Sequence, residues 1–137
     1  MEAFLGVDVG AVGVKAALLV RSGRDEPLDR CLGELALQPL GVPAGGPAGS
    51  NGQGTGERVF VTPYRRTRGR PLEAVRALLE ELLAQIPAAA IAGLAVTGSG
   101  STLVAETLGV RRVNDFQAIA RAIGRLHPEI RTVFEMG

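Results

Sequence analysis

The stretch "FLGVDVGAVGVKAALL", residues 4–19, is the part of the chain that decides the fold. Two short apolar runs, residues 3–9 and 14–20, flank the tetrapeptide GAVG, and this pattern is typical of a β-hairpin. The first run contains an aspartate, Asp8, and the second contains Lys15, the only lysine of the chain. Two charges in otherwise apolar strands need a reason beyond core packing.

The two charges and the turn between them form a candidate site. A carboxylate in an apolar strand is costly unless it is paired or holds a cation, so Asp8 is expected to have a partner. Gly10 lets the backbone turn tightly and leaves amide groups open to an anion. With Lys15 across the turn, these are the groups that a nucleotide phosphate and its Mg²⁺ require. A buried ion pair in a glycine hairpin is the alternative interpretation.

The choice of lysine favours the phosphate interpretation. Lys15 is one of 15 basic residues, and the other 14 are arginine. Where charge alone suffices, this chain uses arginine. A compact ammonium is therefore the specific requirement at position 15.

The remaining pattern predicts an α/β domain. Helical spacing of apolar residues begins at Pro71 and ends before Pro87, and Asn114 and Gln117 have capping-box spacing before a later helix. Residues 41–56 have no charge and no periodicity, which predicts a flexible insertion rich in glycine and proline. Further elements are predicted along the chain: strands near 30–38 and at 58–64, a buried strand at 91–97, a short helix to Leu108 and a closing strand at 131–137.

Length and charge narrow the class of protein. A chain of 137 residues, 46% of them hydrophobic, is enough for one domain of ordinary size. The formal net charge of +1 implies no strong field for nucleic acid or an anionic membrane, and the arginine run at 65–70 is interpreted as a solvated loop. One cysteine, Cys31, permits no internal disulfide, and no run is long enough to span a bilayer. We expect a cytoplasmic protein with neither nucleic-acid nor membrane partners.

Four segments resemble one known family in the same order. "GVDVGAVGVKAALL" resembles the first phosphate motif of the actin, hexokinase and heat-shock chaperone ATPase superfamily. Its form Asp-x-Gly-x-x-x-x-Lys resembles the activators of 2-hydroxyacyl-CoA dehydratases, the BadF/BadG/BcrA/BcrD ATPases or CoA-substrate-specific enzyme activases. Later segments of that family are similar to "YRRTRGRPLEAVRALLEEL", "LAVTGSGSTLVAETLG" and "VNDFQAIARAIGRLHPEIRTVFEMG". The resemblance implies a ribonuclease H-like (actin-like ATPase) lobe over residues 1–130, with a mixed sheet and flanking helices.

The resemblance implies roles for the residues of the first turn. Asp8 would lie beside Mg²⁺, and Lys15 would contact a phosphate of ATP. The terminal phosphates would face the turn itself: Gly10, Ala11, Val12 and Gly13. Family members usually have serine and threonine where this chain has Ala11 and Val12, so two phosphate-binding hydroxyls are missing here.

Two later positions also match the family. Thr97, Gly98 and Gly100 correspond to its Thr-Gly-x-Gly turn, where the following helix would offer further amides to the nucleotide. An ordinary strand-to-helix turn is the alternative. Asp115 falls where the family usually has glutamate, at the cleft between two lobes. The alternative there is that Asn114 caps the helix and Asp115 complements its dipole.

A second lobe is part of what the resemblance implies. Glu135 stands where shorter members often have aspartate, at the opening of the second phosphate motif, so residues 131–137 are expected to be the truncated start of that lobe. The adenine pocket would lie beyond Gly137. So would the cysteines that hold an iron–sulfur cluster between two subunits, which leaves this chain without ligands for the cluster. The full-length protein is expected to be a homodimer.

These observations favour the N-terminal lobe of an ATP-dependent activator, whose partner is a dehydratase or reductase acting on an acyl-CoA. Asp8, Asp115 and Glu135 are the candidate catalytic residues, and ATP and Mg²⁺ are the expected cofactors. The lobe alone is expected to be inactive. A non-hydrolysing interaction module with the same fold and a small-molecule kinase of the same superfamily are the alternatives, and Ala11 and Val12 favour the first of these.

Overall fold

The computed structural model describes residues 2–21, 38–40 and 57–135. These residues form an α/β domain with a mixed sheet of parallel and antiparallel strands and flanking helices, which confirms the predicted fold class at that level. The predicted insertion at 41–56, most of the third predicted strand and Cys31 lie outside the described residues.

Seven strands and three α-helices are found in the described part of the chain. The strands are β1 (Glu2–Val9), β2 (Gly13–Arg21), β3 (Gln38–Leu40), β4 (Arg58–Val61), β5 (Arg65–Arg66), β6 (Ile91–Thr97) and β7 (Arg111–Arg112). The helices are α1 (Pro71–Gln85), α2 (Ser101–Leu108) and α3 (Asp115–Leu126). A single turn of 3-10 helix, Ala88–Ala90, precedes β6. The predicted helices and the strand at 91–97 are confirmed.

The sheet has the strand order β3-β4-β2-β1-β6-β7, and the short β5 pairs separately with β2. Strands β1 to β4 pair antiparallel in this part of the sheet, whereas β1, β6 and β7 run parallel. Helix α1 lies between β5 and β6 in the chain and provides the long crossover that parallel strands require. The carboxyl ends of β1 and β6 consequently meet at one edge of the sheet, the place where α/β proteins usually bind ligands.

The stretch at 4–19 forms the hairpin β1–β2, with Val9 opposite Val14 and Asp8 opposite Lys15. Side chains alternate between the two faces of a strand, and here Val7 and Val9 are buried while Asp8 is exposed. The Asp8 side chain therefore lies on the face of the hairpin opposite the core. Apolar and small residues occupy both faces of this hairpin, so the sequence did not reveal which face is open.

The core lies between one face of the sheet and helices α1 and α2. A leucine, isoleucine or valine side chain that is fully buried in such a core stabilises the fold by about 1.5–3 kcal/mol. The largest fully buried side chains are Leu18, Ile86, Val7, Val9, Val14, Val20, Val75, Val96, Val104 and Ser101. Helix α3 has no buried residue. The face of the sheet that carries Asp8 is thus much less covered than the core face.

The predicted cap of α3 is confirmed. The Asn114 side chain accepts hydrogen bonds from the amides of Phe116 at 3.0 Å and Gln117 at 3.4 Å. Two otherwise unsatisfied N–H groups at the helix start are paired in this way. The helix therefore begins at Asp115, and this fixes where that carboxylate emerges from the backbone.

The closing strand predicted at 131–137 is wrong for the residues that the structure describes. Residues 131–135 have no strand conformation, and all five are exposed. A strand needs a neighbour to pair its backbone groups. No described strand lies beyond β7 at that end of the sheet, so the apolar composition of this segment does not lead to pairing.

Replacing Gly124 with alanine should stabilise the protein. Gly124 lies inside α3, and a Cβ placed there would meet no atom within 4 Å. Glycine in a helix costs roughly 0.5–1 kcal/mol relative to alanine because its unfolded backbone has more freedom. Urea unfolding should show a gain of that size in the free energy of unfolding. The reverse change Ala120→Gly in the same helix should cost a similar amount; a loss in Gly124→Ala would mean that this helix face is covered.

Candidate phosphate and metal site

Three of the predicted site residues form a row across the sheet. Asp8 of β1 is the register partner of Lys15 on β2 and of Thr97 at the end of β6. Paired residues on neighbouring strands share one face, so these side chains lie side by side on the open face. A cleft of about 330 Å³ lies along this row and includes all three residues in its lining.

Asp115 joins the row through the end of β6. Its Oδ1 accepts hydrogen bonds from the Thr97 hydroxyl at 3.0 Å and from the Gly98 amide at 2.8 Å. One carboxylate oxygen is thereby fixed, and the other stays available. The packing is close, because a Cβ added to Gly98 would approach an Asp8 carboxylate oxygen to 2.6 Å. The turn at Gly98 therefore holds Asp8 and Asp115 on either side of itself.

The charges at this edge act on Asp8. Its pKa is raised from the usual value of 3.8, chiefly because the surrounding strands reduce its hydration, although the side chain is exposed by surface area. The negative charges of Asp115 and Glu135 raise the pKa of Asp8 further, while Lys15 opposes them. The three candidate catalytic acids therefore share one electrostatic environment, and a cation bound there would relieve their repulsion.

The Lys15 ammonium lies over the ring of Tyr64, 5.5 Å from its centroid. Within the described residues no ion pair shorter than 4 Å joins Lys15 to Asp8, although the two are register partners. The alternative of a buried ion pair is therefore wrong: both groups lie on the open face, and each is accessible to a ligand.

The turn between β1 and β2 is closed by a hydrogen bond from the Gly10 amide to the Gly13 carbonyl, 2.9 Å long. Gly10 and Gly13 both have negative or extended φ, so neither is required for a left-handed turn. Within the described residues nothing accepts a hydrogen bond from the amides of Ala11 and Val12, whose side chains are exposed. Two backbone donors therefore remain available to an anion at this turn.

A second segment supports the turn from behind. Thr67 is buried; its amide donates to the Val12 carbonyl at 2.9 Å and its hydroxyl to the Ala11 carbonyl at 3.3 Å. With both carbonyls held, the peptide planes at the tip of the turn are constrained. The Ala11 carbonyl shares its peptide plane with the Val12 amide, so the orientation of that open amide is fixed by the contact with Thr67.

The turn after β6 is held by hydrogen bonds within the protein. The Gly100 amide donates to the Val9 carbonyl at 2.8 Å, and the Ser101 amide donates to the Gly98 carbonyl at 3.0 Å. Together with the Gly98 amide, which Asp115 occupies, these donors are used within the protein. These three amides are unavailable to a phosphate, and through Gly98 the turn contacts both aspartates. The expectation that the start of α2 offers further amides to the nucleotide stays a prediction.

The donor set fits Mg²⁺ better than a metal caged by protein alone. Among the described residues no three histidine, cysteine or acidic side chains are grouped closely enough to hold a metal. Magnesium typically uses one or two carboxylates together with waters and substrate phosphates. Asp8, to which no described residue donates a hydrogen bond, and the second oxygen of Asp115 provide that set.

Two features of the site were missed by sequence reasoning. Tyr64 was assigned only to a strand, and no local signal links it to Lys15, which lies 49 positions earlier in the sequence. Ser101 is fully buried; its hydroxyl donates to the Gly98 carbonyl at 2.6 Å and accepts from Arg112 Nε at 2.9 Å. The repeated glycine and serine of "GSGS" indicated a turn, but not which serine would brace it.

Comparison with known protein families, curated proteins and solved structures finds no match for this chain. The resemblance to the activases consequently depends on the sequence motifs alone. In the described part of the chain no helix combines the length and apolar character needed to cross a membrane.

Proposed function

We propose that this chain is the first lobe of an ATP-dependent activator of a CoA-thioester dehydratase or reductase, and that the hairpin β1–β2 binds the phosphates of Mg-ATP. The observation that carries the proposal is the row of Lys15, Asp8 and Thr97 beside a turn with two open amides. An ammonium, free backbone donors and exposed carboxylates at one sheet edge are complementary to a phosphate chain with its metal.

The strand arrangement supports the finer fold assignment, a ribonuclease H-like lobe. Taken from β4, the order β4-β2-β1-β6-β7 contains an antiparallel set of three followed by two strands parallel to β1. This is the arrangement expected of that fold, with the first carboxylate on the first strand. A fold alone does not establish activity, so the functional argument depends on the site.

In this proposal the positively charged group and the backbone amides would bind phosphate, and the acidic groups would bind the metal. Lys15 and the amides of Ala11 and Val12 would take up the negative charge of the terminal phosphates. Asp8 and Asp115 would hold hydrated Mg²⁺, which neutralises phosphate charge when it is bound. Asp115 and Glu135, which lie close enough to Asp8 to affect its charge, are the candidates to orient the attacking water.

Coupling to electron transfer would need parts outside this chain. The resemblance implies a second lobe that closes on the nucleotide and an iron–sulfur cluster shared between two subunits. Cys31 is the only cysteine in the sequence, so this chain does not have the cysteine ligands that such a cluster needs. The role of this chain would accordingly be nucleotide binding and the movement of one lobe.

A non-hydrolysing interaction module is the second candidate. The observation that favours it is the pair of exposed apolar side chains at the turn, Ala11 and Val12, the latter 59% exposed. They offer no hydroxyl to a phosphate, so phosphate contacts at the turn would rest on the backbone amides. Weak nucleotide binding without turnover even in a closed two-lobe protein would favour this candidate.

Replacing Lys15 with alanine should weaken nucleotide binding at least about tenfold, because the ammonium is the one cation in the row. The wild-type lobe should bind Mg-ATP in about the millimolar range, since water screens groups on an open face. A titration followed by amide NMR should show shifts at residues 10–15. Arg76→Ala on α1 removes a distant exposed cation and serves as the control.

Two results would contradict the phosphate site. The first is a titration in which Lys15→Ala and Arg76→Ala bind Mg-ATP as the wild type does. The second is a set of amide shifts that avoids the turn. Micromolar affinity or steady phosphate release by residues 1–137 would instead contradict the need for a second lobe.

A further inference from the structure

Tyr64 occupies an unusual place beside the hairpin. A Cβ added to Gly13 would lie 2.1 Å from Cζ and 2.3 Å from the hydroxyl oxygen of Tyr64, so the ring lies directly against the Gly13 backbone. The same ring has the Lys15 ammonium 5.5 Å from its centroid. Half of the tyrosine side chain is nonetheless exposed. A ring placed in this way is held by the hairpin rather than by the core.

The contact explains why position 13 is glycine. Gly13 has no positive φ and pairs regularly with Arg66 of β5. The backbone at this position would accept other residues. The space above it would not, because any side chain would displace the ring of Tyr64. The absence of a side chain at Gly13 therefore leaves room for the ring of Tyr64.

Without the ring, Lys15 would have a competing partner. Register partners on antiparallel strands have Cβ atoms about 4.5–5.5 Å apart, and opposite charges in such pairs attract. A flexible lysine opposite Asp8 would tend to close into an ion pair. That pair would occupy the ammonium and the carboxylate together. The aromatic face of Tyr64 provides an alternative contact for the cation. Tyr64 directly precedes β5, which pairs with β2 on the edge opposite β1, so this contact lies on the side away from Asp8.

We infer that Tyr64 is a positioning residue, whose ring holds the Lys15 ammonium away from Asp8 and over the turn, so that the lysine stays available to phosphate and the carboxylate to a metal. The inference rests on the proposed function, because it assigns the ring a role at the same phosphate site. The Lys15 ammonium contacts the face of the ring, so the tyrosine hydroxyl is not needed for this role. Phenylalanine should therefore replace the tyrosine, and leucine should not.

The composition of the chain makes this contact measurable. Lys15 is the only lysine, so reductive methylation with ¹³C-formaldehyde labels one side chain besides the N-terminal amine. An aromatic ring shifts the resonance of a methyl group held over its face. The wild type and Tyr64→Phe should show this shifted resonance, and Tyr64→Leu should lose it. Phe4→Leu removes the comparable contact with Arg21, 5.2 Å from the ring centroid, and is the control.

Titration of the same samples with Mg-ATP gives the functional readout. We expect Tyr64→Leu to bind about tenfold more weakly than the wild type, while Tyr64→Phe and Phe4→Leu bind as the wild type does. Amide spectra of each variant establish that the fold is retained. A merely structural tyrosine would not separate phenylalanine from leucine at the lysine resonance and in affinity together.

The unfavourable outcomes fall into two groups. An unshifted Lys15 resonance in the wild type, or unchanged Mg-ATP affinity in Tyr64→Leu, overturns the positioning role and leaves the proposed function standing. A Lys15 resonance that does not respond to Mg-ATP in any variant overturns the proposed function and the positioning role with it.

Discussion

Gly98→Ala is expected to destabilise the protein by about 3 kcal/mol or more, a large part of the stability of an ordinary domain. Gly98 has a φ of +98°, a conformation that costs an L-residue about 1–2 kcal/mol. A Cβ there would also lie 2.4 Å from the Val9 carbonyl oxygen, a backbone atom that the Gly100 amide already holds. Overlap of this kind adds roughly 1–3 kcal/mol.

The glycine at position 109 provides the matched control. Gly109 has a φ of +65°, but a Cβ there would meet nothing within 4 Å. Gly109→Ala should therefore cost only the conformational part, about 1–2 kcal/mol. Urea unfolding of both variants separates close packing from backbone conformation. Equal losses would mean that Gly98 is not packed against β1, and the description of the site as a tightly built turn would fail.

The hairpin and the helices were predictable because their signals are local. Two apolar runs around GAVG predict strands β1 and β2, and Pro71 and Asn114 mark helix starts by their own chemistry. Each of these signals lies within a few residues of the structure it predicts. The same locality explains why the sequence alone places Asp8 and Lys15 across the turn from each other.

The open face of the sheet was not predictable in this way. Whether Asp8 faces the core depends on which side of the hairpin α1 and α2 cover, and that is a property of the whole fold. Residues 131–135 show the same limit, because a strand exists only where a neighbour accepts its hydrogen bonds. An apolar segment is able to form a strand, but it does so only where a neighbouring strand pairs with its backbone.

The sequence predicted which residues belong to the candidate site, but not the hydrogen bonds and contacts that join them. The family resemblance named Thr97 and Gly98 from one match and Asp115 from another. In the folded protein, hydrogen bonds of 3.0 and 2.8 Å join Thr97 and Gly98 to one carboxylate oxygen of Asp115, and no sequence motif indicates these bonds. Tyr64 was missed because its partner Lys15 is close in space and distant in sequence, and no local pattern in one sequence connects two such positions.

Asp8→Asn should make the protein more stable and its nucleotide site weaker. At neutral pH the Asp8 carboxylate is poorly hydrated and is repelled by Asp115 and Glu135. Asparagine removes that repulsion with nearly the same shape, so we expect a gain in the free energy of unfolding. The side chain is exposed and its interactions are screened, so the gain should stay below about 1 kcal/mol. Mg²⁺-dependent ATP affinity should fall at least about tenfold with the lost ligand.

The pH dependence gives the sign of the effect. Because the pKa of Asp8 is raised in the folded protein, the folded state binds the proton more tightly than the unfolded state does. Ionisation of Asp8 therefore costs stability, and this cost grows as the pH rises from the usual value of 3.8 through the folded pKa. The stability gain of Asp8→Asn should be present at neutral pH and should vanish below 3.8, where the carboxyl is neutral in both states.

Thermal and urea unfolding of Asp8→Asn across this pH range test the prediction, with Glu106→Gln, an exposed acid on α2, as the control. The control should change little at any pH. A loss of stability in Asp8→Asn at neutral pH would mean that the carboxylate supports the fold through Lys15, as in the ion-pair interpretation. A gain in stability together with a lost response to Mg-ATP is what a site selected for binding predicts, since its like charges are kept together at the expense of the fold.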